Sequence, residues 1–402
     1  MNLQKLVADI EPEIYQVWKQ IHMHPELGLK EFHTSGLIEK ELGQKTHVDR
    51  MERIGDTGWL VEIRGTRPGP CRCIALRGDM DALPVQEDSG FPVRSQVEGV
   101  MHACGHDVHT SVLLGAVRVL EHYRDQIAGS VLFFFQPAEE ILAGAKLFLE
   151  SPLIDFGSID GVAACHVSPE FEAGKIGVRR GPIMASADKA NITVLGKAGH
   201  CAHPHTTVDP VAIAAQVITA LQQIVSREVP PAESAVISVF TIHGGGGRNG
   251  CTIIPDRVEM GASIRAVTPQ VRAHLLKRIP QVCQGVAGAM GGQAEVELEL
   301  GPPPFVNDDE WVERVRRCGE TLLGKENVVD LAIPSMGAED FSFVKEKAPG
   351  VFVRLGCRTP GGPYGSLHSP TFYTDRKALA TGILTLAGIA LDFFGVDYNR
   401  LS

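Results

Sequence analysis

The 402-residue chain lacks an excess of basic residues: 48 acidic side chains against 38 basic ones leave a formal charge of −10. A surface built for nucleic acid or an anionic membrane carries the opposite balance, so neither is an expected partner. A membrane-length apolar run is also missing. The longest uncharged stretch near the end, Ala378–Leu391, contains Thr and Gly and is too short to span a bilayer, so it reads as a buried helix. The opening segment places Asp9 and Glu11 where a signal peptide needs apolar residues. Nine cysteines, an odd number spread thinly, do not make a disulfide framework and fit a reducing compartment. These absences lead us to expect a soluble, cytoplasmic protein. Its 44% hydrophobic and 21% charged residues exclude a disordered or fibrous chain.

Several enzyme signatures are absent as well. No G-x-x-x-x-G-K-[ST], H-E-x-x-H, C-x-x-C or G-x-S-x-G occurs. Gly245–Gly250 spells GGGRNG, the glycine spacing of a dinucleotide loop, but CTIIPD follows it. A pyrophosphate needs a helix N-terminus at that point, and a β-branched run ending in proline does not supply one. Cys71 and Cys73, alternating at the head of an apolar strand, read as packing groups.

What is present is an alternation. Apolar residues at helical spacing run from Leu3 to Ile21, followed by strand-like segments at Trp59–Ile63, Cys73–Leu76, Val131–Phe135 and Val162–His166. Helical patterns at Val108–His122 and Leu142–Glu150 lie between them. Continuous apolar strands alternating with helices predict an α/β sheet covered on both faces. The texture changes after Gly181-Pro182. Strands are expected at Asn191–Leu195, Ala235–Thr241, Thr252–Ile264 and Ala294–Leu300, with helices at Val208–Ser226 and Pro269–Ala289. Helices at Asp308–Leu323, Glu339–Lys345 and Arg376–Phe394 and a strand at Val351–Leu355 then return to the first texture. The organisation expected is a catalytic domain from 1–184 and 299–402, with a smaller α+β domain inserted at 185–298.

The densest polar cluster is HACGHDVH, His102–His109, immediately before an apolar helix. Imidazole and thiolate are the ligands that divalent transition metals prefer, and the glycine lets the loop bend around an ion. The VLFFFQ strand ends in Pro137-Ala-Glu139-Glu140, at the carboxyl edge where open α/β sheets place their sites. Adjacent side chains on extended backbone point apart, so one carboxylate can bind metal while its neighbour stays free as a base. Two further places carry histidines, His166 at a strand end and His368 in a Gly/Pro-rich loop. A histidine at a strand end is more often structural than ligating, and it is the four places together that point to a metal site.

These segments carry a resemblance. RGDMDALP from Arg77, HACGHDVH from His102, FQPAEE from Phe135, HVSP from His166, GPIMASAD from Gly181, PSMGAEDFSF from Pro334 and LHSP from Leu367 stand in the order found in one family. The chain resembles the dinuclear-metal amidohydrolases that include aminoacylase, carboxypeptidase G and hippurate hydrolase. Within them it is most similar to bacterial N-acyl-amino-acid hydrolases and plant auxin-conjugate hydrolases. The resemblance implies a metallopeptidase-like α/β catalytic domain and an inserted dimerisation or lid domain, hence a homodimer or higher homo-oligomer. It implies Cys104, His106, Glu140, His166 and His368 as ligands of two divalent ions, zinc, manganese, nickel or cobalt. Glu139 is then the catalytic acid/base, and Asp79 and Asp81 support the metal site. His200 matches a histidine presented to the active site, in some relatives from the partner subunit, and Arg265 matches a substrate-carboxylate arginine. The implied activity is hydrolysis of N-acyl amino acids or similar amides, with a dipeptidase or exopeptidase as the alternative. A metal-containing binding protein is the reading from another class, and retention of Glu139 beside Glu140 argues against it. Two positions depart from the family pattern: Thr252 stands where relatives have asparagine, and Ile141 where they have glycine.

Overall fold

The computed structural model describes residues 2–245 and 252–398, so the Gly246–Gly250 portion of the glycine run lies outside the described residues. The chain divides into two compact units, one of Met1–Gly181, Asn307–Ala332 and Phe343–Ser402, the other of Pro182–Val306 and Ile333–Ser342.

The first unit is built on an eight-stranded mixed sheet. Its order is Arg50–Ile54, Gly58–Arg64, Gly129–Gln136, Arg72–Asp79, Gly161–Glu172, Gly350–Arg358, Ile176–Val178 and Val328–Asp330. The central pairs, from Gly129–Gln136 across to Gly350–Arg358, are parallel, antiparallel pairs flank them, and the last pair, Ile176–Val178 with Val328–Asp330, is again parallel. Burial on both faces explains the unbroken apolar runs: Phe133, Phe134 and Phe135 are all buried. Phe133 and Phe135 join the large core cluster with the helices Leu3–Met23, His106–His122, Asp309–Leu323 and Lys377–Phe393. Phe134 points the other way, against Phe148 with ring centroids 4.9 Å apart.

Helices at Leu3–Met23, His106–His122, Asp309–Leu323 and Lys377–Phe393 coincide closely with the periodicity that predicts them. Helix Phe32–Lys45 was not anticipated. Its buried face carries Thr34 and Ser35 beside Ile38 and Leu42, and Phe32 is exposed, so the apolar signal is weak. The helix expected at Leu142–Glu150 is confined to Gly144–Leu149. That expected at Glu339–Lys345 is confined to Ser342–Lys345.

The second unit contains an antiparallel four-stranded sheet in the order Ala235–Gly244, Arg257–Ala266, Asp188–Leu195, Gln293–Glu299. Helices Pro210–Gln223 and Pro269–Ala289 cover one face, burying Ile192, Val194, Val217, Leu221, Leu275 and Ile279. The strand expected over Thr252–Ile264 is two pieces, Ile253–Ile254 and Arg257–Ala266, because Pro255 cannot donate to a ladder. The outermost strand, Ala235–Gly244, exposes Val236, Phe240 and Ile242. No helix among the described residues is long and apolar enough to cross a membrane.

Candidate metal centre

Strand register brings the polar motifs of the first unit together. Asp79 pairs with Gln136 at the carboxyl ends of adjacent parallel strands, so the segments that follow them leave from the same edge. On the other side Arg77 pairs with Ala164, two residues before His166, which sets His166 level with Asp79. Gly105 caps the helix His106–His122 with a φ of 79°, and a Cβ there would lie 2.5 Å from Val167 Cγ2. Only glycine satisfies both the backbone and the space. His106 and His109, three apart on this helix, share a face.

Four donor side chains, His106, Glu140, His166 and His368, gather around a fifth, Cys104, in overlapping groups. Cys104 Sγ lies 3.4 Å from His166 Nε2 and 3.3 Å from His368 Nε2. Glu140 Oε1 lies 3.4 Å from His368 Nε2 and 3.8 Å from His106 Nε2. The outer nitrogens fix the tautomers. His166 Nδ1 faces the Val167 carbonyl at 2.8 Å and His106 Nδ1 faces Asp81 Oδ1 at 3.1 Å, so in its neutral form each ring carries its proton outside and turns a lone pair inward. His106 Nε2 and Glu140 Oε1 are buried without a hydrogen-bond partner. Buried orphan acceptors around a thiol fit a bound cation, and the mixed S, N and O donor set suits a divalent transition ion. Two donor groups, Cys104–His106–His166 and Cys104–Glu140–His368, share the cysteine, and a third joins His106 with Glu139 and Glu140.

The local electrostatics favour positive charge here. Burial works against a charged His106, but Asp79, Cys104 and Asp81 outweigh it and raise its pKa well above the usual imidazole range, so a proton and a bound cation compete for its Nε2 lone pair. Burial, reinforced by His109 and Arg354, holds His166 well below that range, which keeps it neutral as a ligand must be. Burial pushes the Cys104 thiol up, so it needs a cation beside it to bind as thiolate. Glu140 is lowered despite burial, by His368 and His106.

The support residues are placed as follows. Asp81 Oδ1 accepts the Glu139 amide at 3.1 Å, besides facing His106, and its Oδ2 accepts the Glu140 amide at 3.0 Å. Asp79 is wholly buried, 2.5 Å from Arg77 Nη1 and 2.6 Å from His109 Nδ1. Sequence reasoning gave His109 and Arg77 no role. His109 Nε2 accepts the Val167 amide at 2.8 Å, tying the strand that carries His166 to the helix that carries His106. The extended backbone expected at Glu139-Glu140 is incorrect. Both residues sit in a turn bracketed by Ala138 and Leu142, each at φ 55°, and both carboxylates reach the same donor group as His106. Ile141 is 58% exposed. Of the two alternating cysteines, Cys71 is exposed and does not pack.

His200 and Arg265 belong to the second unit. His200 lies in the short pair of Gly199–His200 with Ile253–Ile254, and its Nδ1 accepts the Ala202 amide at 3.1 Å. Its proton is therefore on the exposed Nε2. Arg265, on strand Arg257–Ala266, is half-buried, and burial lowers its pKa.

Comparison with known proteins gives consistent matches. A model of peptidase family M20/M25/M40 matches residues 75–392. Thermostable carboxypeptidase 1 of Saccharolobus solfataricus is 38% identical over 398 residues, 98% of each chain. N-acetyl-L-cysteine deacetylase of Bacillus subtilis is 38% identical, over 93% of this chain and 86% of that protein. IAA-amino acid hydrolase ILR1-like 2 of Arabidopsis thaliana is 36% identical, over 95% of this chain and 86% of that one. Among solved structures, the Bacillus subtilis YXEP protein, described as a dinuclear metal binding peptidase, superposes with a TM-score of 0.84 at 31% identity, covering 97% of this chain and 100% of that chain.

Proposed function

The chain belongs to peptidase family M20/M25/M40, and from that premise we propose that it hydrolyses the amide bond of N-acyl amino acids or similar conjugates, releasing a carboxylic acid and a free amino acid. The observation that carries this reading is the convergence of Cys104, His106, Glu140, His166 and His368 with a second carboxylate, Glu139, beside them. The two donor groups that share Cys104 suit two divalent ions, and zinc, manganese, nickel or cobalt each fit the mixed set. Such ions lower the pKa of a water and polarise a carbonyl.

The chain's own residues would do the rest. Glu139 takes the proton of the attacking water and later delivers it to the departing amine. Asp81 holds the Glu139 amide and orients His106 through Nδ1, and Asp79 orients His109 through Nδ1. The exposed Nε2–H of His200 is available as a donor to the developing oxyanion. The half-buried guanidinium of Arg265 suits the carboxylate of an amino-acid product. The exposed apolar edge strand Ala235–Gly244 supports pairing of two subunits through the second unit.

The test is hydrolysis of a panel of N-acyl amino acids by metal-reconstituted enzyme, beside Glu139→Gln. Turnover by the wild type, and none by a Glu139→Gln protein of unchanged metal content, is the expected result. Normal activity of the variant, or loss of its metals, overturns the assignment of the two glutamates. A second reading, dipeptidase or exopeptidase, is favoured by the full-length similarity to a carboxypeptidase. Faster cleavage of dipeptides or C-terminally unblocked peptides in the same panel would establish it.

A further inference from the structure

Three consecutive amides of the turn that carries Glu139 and Glu140 are held by two buried carboxylates from elsewhere in the first unit. Asp81 takes the amides of Glu139 and Glu140. The Ala138 amide goes to Glu31, whose Oε1 accepts it at 2.9 Å. The same oxygen accepts the Leu29 amide at 3.0 Å, and Oε2 accepts the Thr57 hydroxyl at 2.7 Å. Glu31 is wholly buried and takes no part in the groups of possible metal donors.

Both amides that share Oε1 belong to residues in the left-handed region, Leu29 at φ 65° and Ala138 at φ 55°. A side chain with a Cβ resists that conformation, so an external acceptor is needed to hold each in place. The two backbones are also pressed together. A Cβ built on Gly28 would lie 3.2 Å from Ala138 Cα and 3.4 Å from Asp81 Oδ2. The segment around Glu31 is thus seated against the turn it supports.

We propose that Glu31 is a positioning residue: by holding Ala138 in its left-handed conformation, it aims Glu139 and Glu140 into the donor cluster. This rests on the roles assigned above to those two glutamates. What matters is the acceptor, not the charge. In Glu31→Gln the amide oxygen can keep both backbone N–H groups, while its NH2 donates to the Thr57 hydroxyl in the reverse sense.

The test compares Glu31→Met, Glu31→Gln and the double variant Glu31→Met/Ala138→Gly, each assayed at saturating metal and also by chelator competition. Glu31→Met is expected to lower kcat by about 10- to 100-fold with KM within about twofold, and to weaken metal binding about tenfold through Glu140. Glu31→Gln stays within about threefold of wild type, since it loses no acceptor for the amides. Glycine pays no left-handed penalty, so Ala138→Gly restores about fivefold or more of the kcat and metal affinity lost in Glu31→Met. If Glu31→Met does not fold, Thr57→Val replaces it, with a kcat reduction of about two- to fivefold expected from a less constrained Glu31. A folded Glu31→Met with wild-type kcat and metal affinity overturns the proposal, as does a double variant no better than Glu31→Met alone; if Glu31→Met does not fold, wild-type kcat in Thr57→Val overturns it. Normal turnover by Glu139→Gln removes the functional reading alone, because the metal-affinity arm still decides whether Glu31 positions the turn.

Discussion

At the scale of single residues, the donor cluster is legible in the sequence because the chemistry resides in side-chain identity. A thiol and imidazoles crowded around one glycine in HACGHDVH suit a divalent transition ion, whereas the choice of Cys104, His106, Glu140, His166 and His368 as ligands rests on the family resemblance. Glu31 and Arg77 were not legible in the same way. Each acts by a hydrogen bond that tertiary contact supplies, Glu31 to Ala138 and Arg77 to Asp79 and Gln136. The cysteines offer the sharpest check. Cys104→Ser should weaken metal binding by an order of magnitude or more, about 10- to 100-fold, because a soft ligand becomes a poor one. Cys71→Ser and Cys73→Ser should leave metal affinity unchanged, and equal losses in all three would exclude Cys104 as the specific thiolate ligand. A second check concerns His22, buried 2.7 Å from Asp107 Oδ2 and 3.6 Å from Glu87 Oε2. Burial works against the charged ring, yet hydrogen bonds to Asp107 and Glu87 outweigh it and raise its pKa to about 9. A raised pKa stabilises the folded chain in full below the unfolded value, about 6.5, and that contribution is lost as pH rises through about 9. The stability difference between wild type and His22→Gln should therefore shrink by about 2–3 kcal/mol between pH 6.5 and 9.5 in denaturant titrations. A difference independent of pH would show that His22 is not charged in the fold.

At the scale of elements, continuous apolar runs identify the covered strands, and helical spacing identifies the four long helices that pack on them. What escaped is physical in each case. The helix Phe32–Lys45 buries hydroxyls where a stronger amphipathic helix would bury aliphatics. The Glu139-Glu140 segment read as extended only because the strand before it is so apolar, whereas Ala138 and Leu142 turn left-handed and bend it. How closely helix His106–His122 can approach the sheet is set by Gly78. A Cβ there would lie 2.7 Å from the His109 carbonyl oxygen and 3.2 Å from Leu113 Cβ. Backbone atoms cannot swing aside as a flexible side chain does, so Gly78→Ala must push the helix outward. The expected cost is about 1–3 kcal/mol of stability, together with weaker metal binding, because His106 and His109 move with the helix while His166 stays on its strand. Thermal unfolding with and without metal measures both. Wild-type metal affinity in a destabilised Gly78→Ala protein would separate the helix position from the site.

At the scale of the whole molecule, the question is whether one chain suffices. The donor cluster and Glu139 lie in the first unit, whereas His200 and Arg265 lie in the second. The second unit also ends its sheet in an edge strand with Phe240 59% and Ile242 50% exposed. Such an edge presents unpaired backbone groups that a second chain can pair with. If two copies pair there and each lends His200 to its partner, a working site needs Glu139 from one chain and His200 from the other. Glu139→Gln and His200→Ala proteins should each be nearly inactive alone. Mixed in equal amounts under conditions of subunit exchange, about half the dimers become heterodimers, and each holds one site with both residues intact. About a quarter of wild-type activity should return, rising to about half for purified heterodimers. Sedimentation establishes the dimer and tagged subunits establish the exchange. The competing account is that His200 only closes the turn through Ala202, as its Nδ1 contact permits. In that case His200→Ala keeps its activity and the mixture gains nothing from exchange. A His200→Ala protein that is inactive but gains nothing on verified exchange would instead place the histidine in the same chain as the Glu139 it serves.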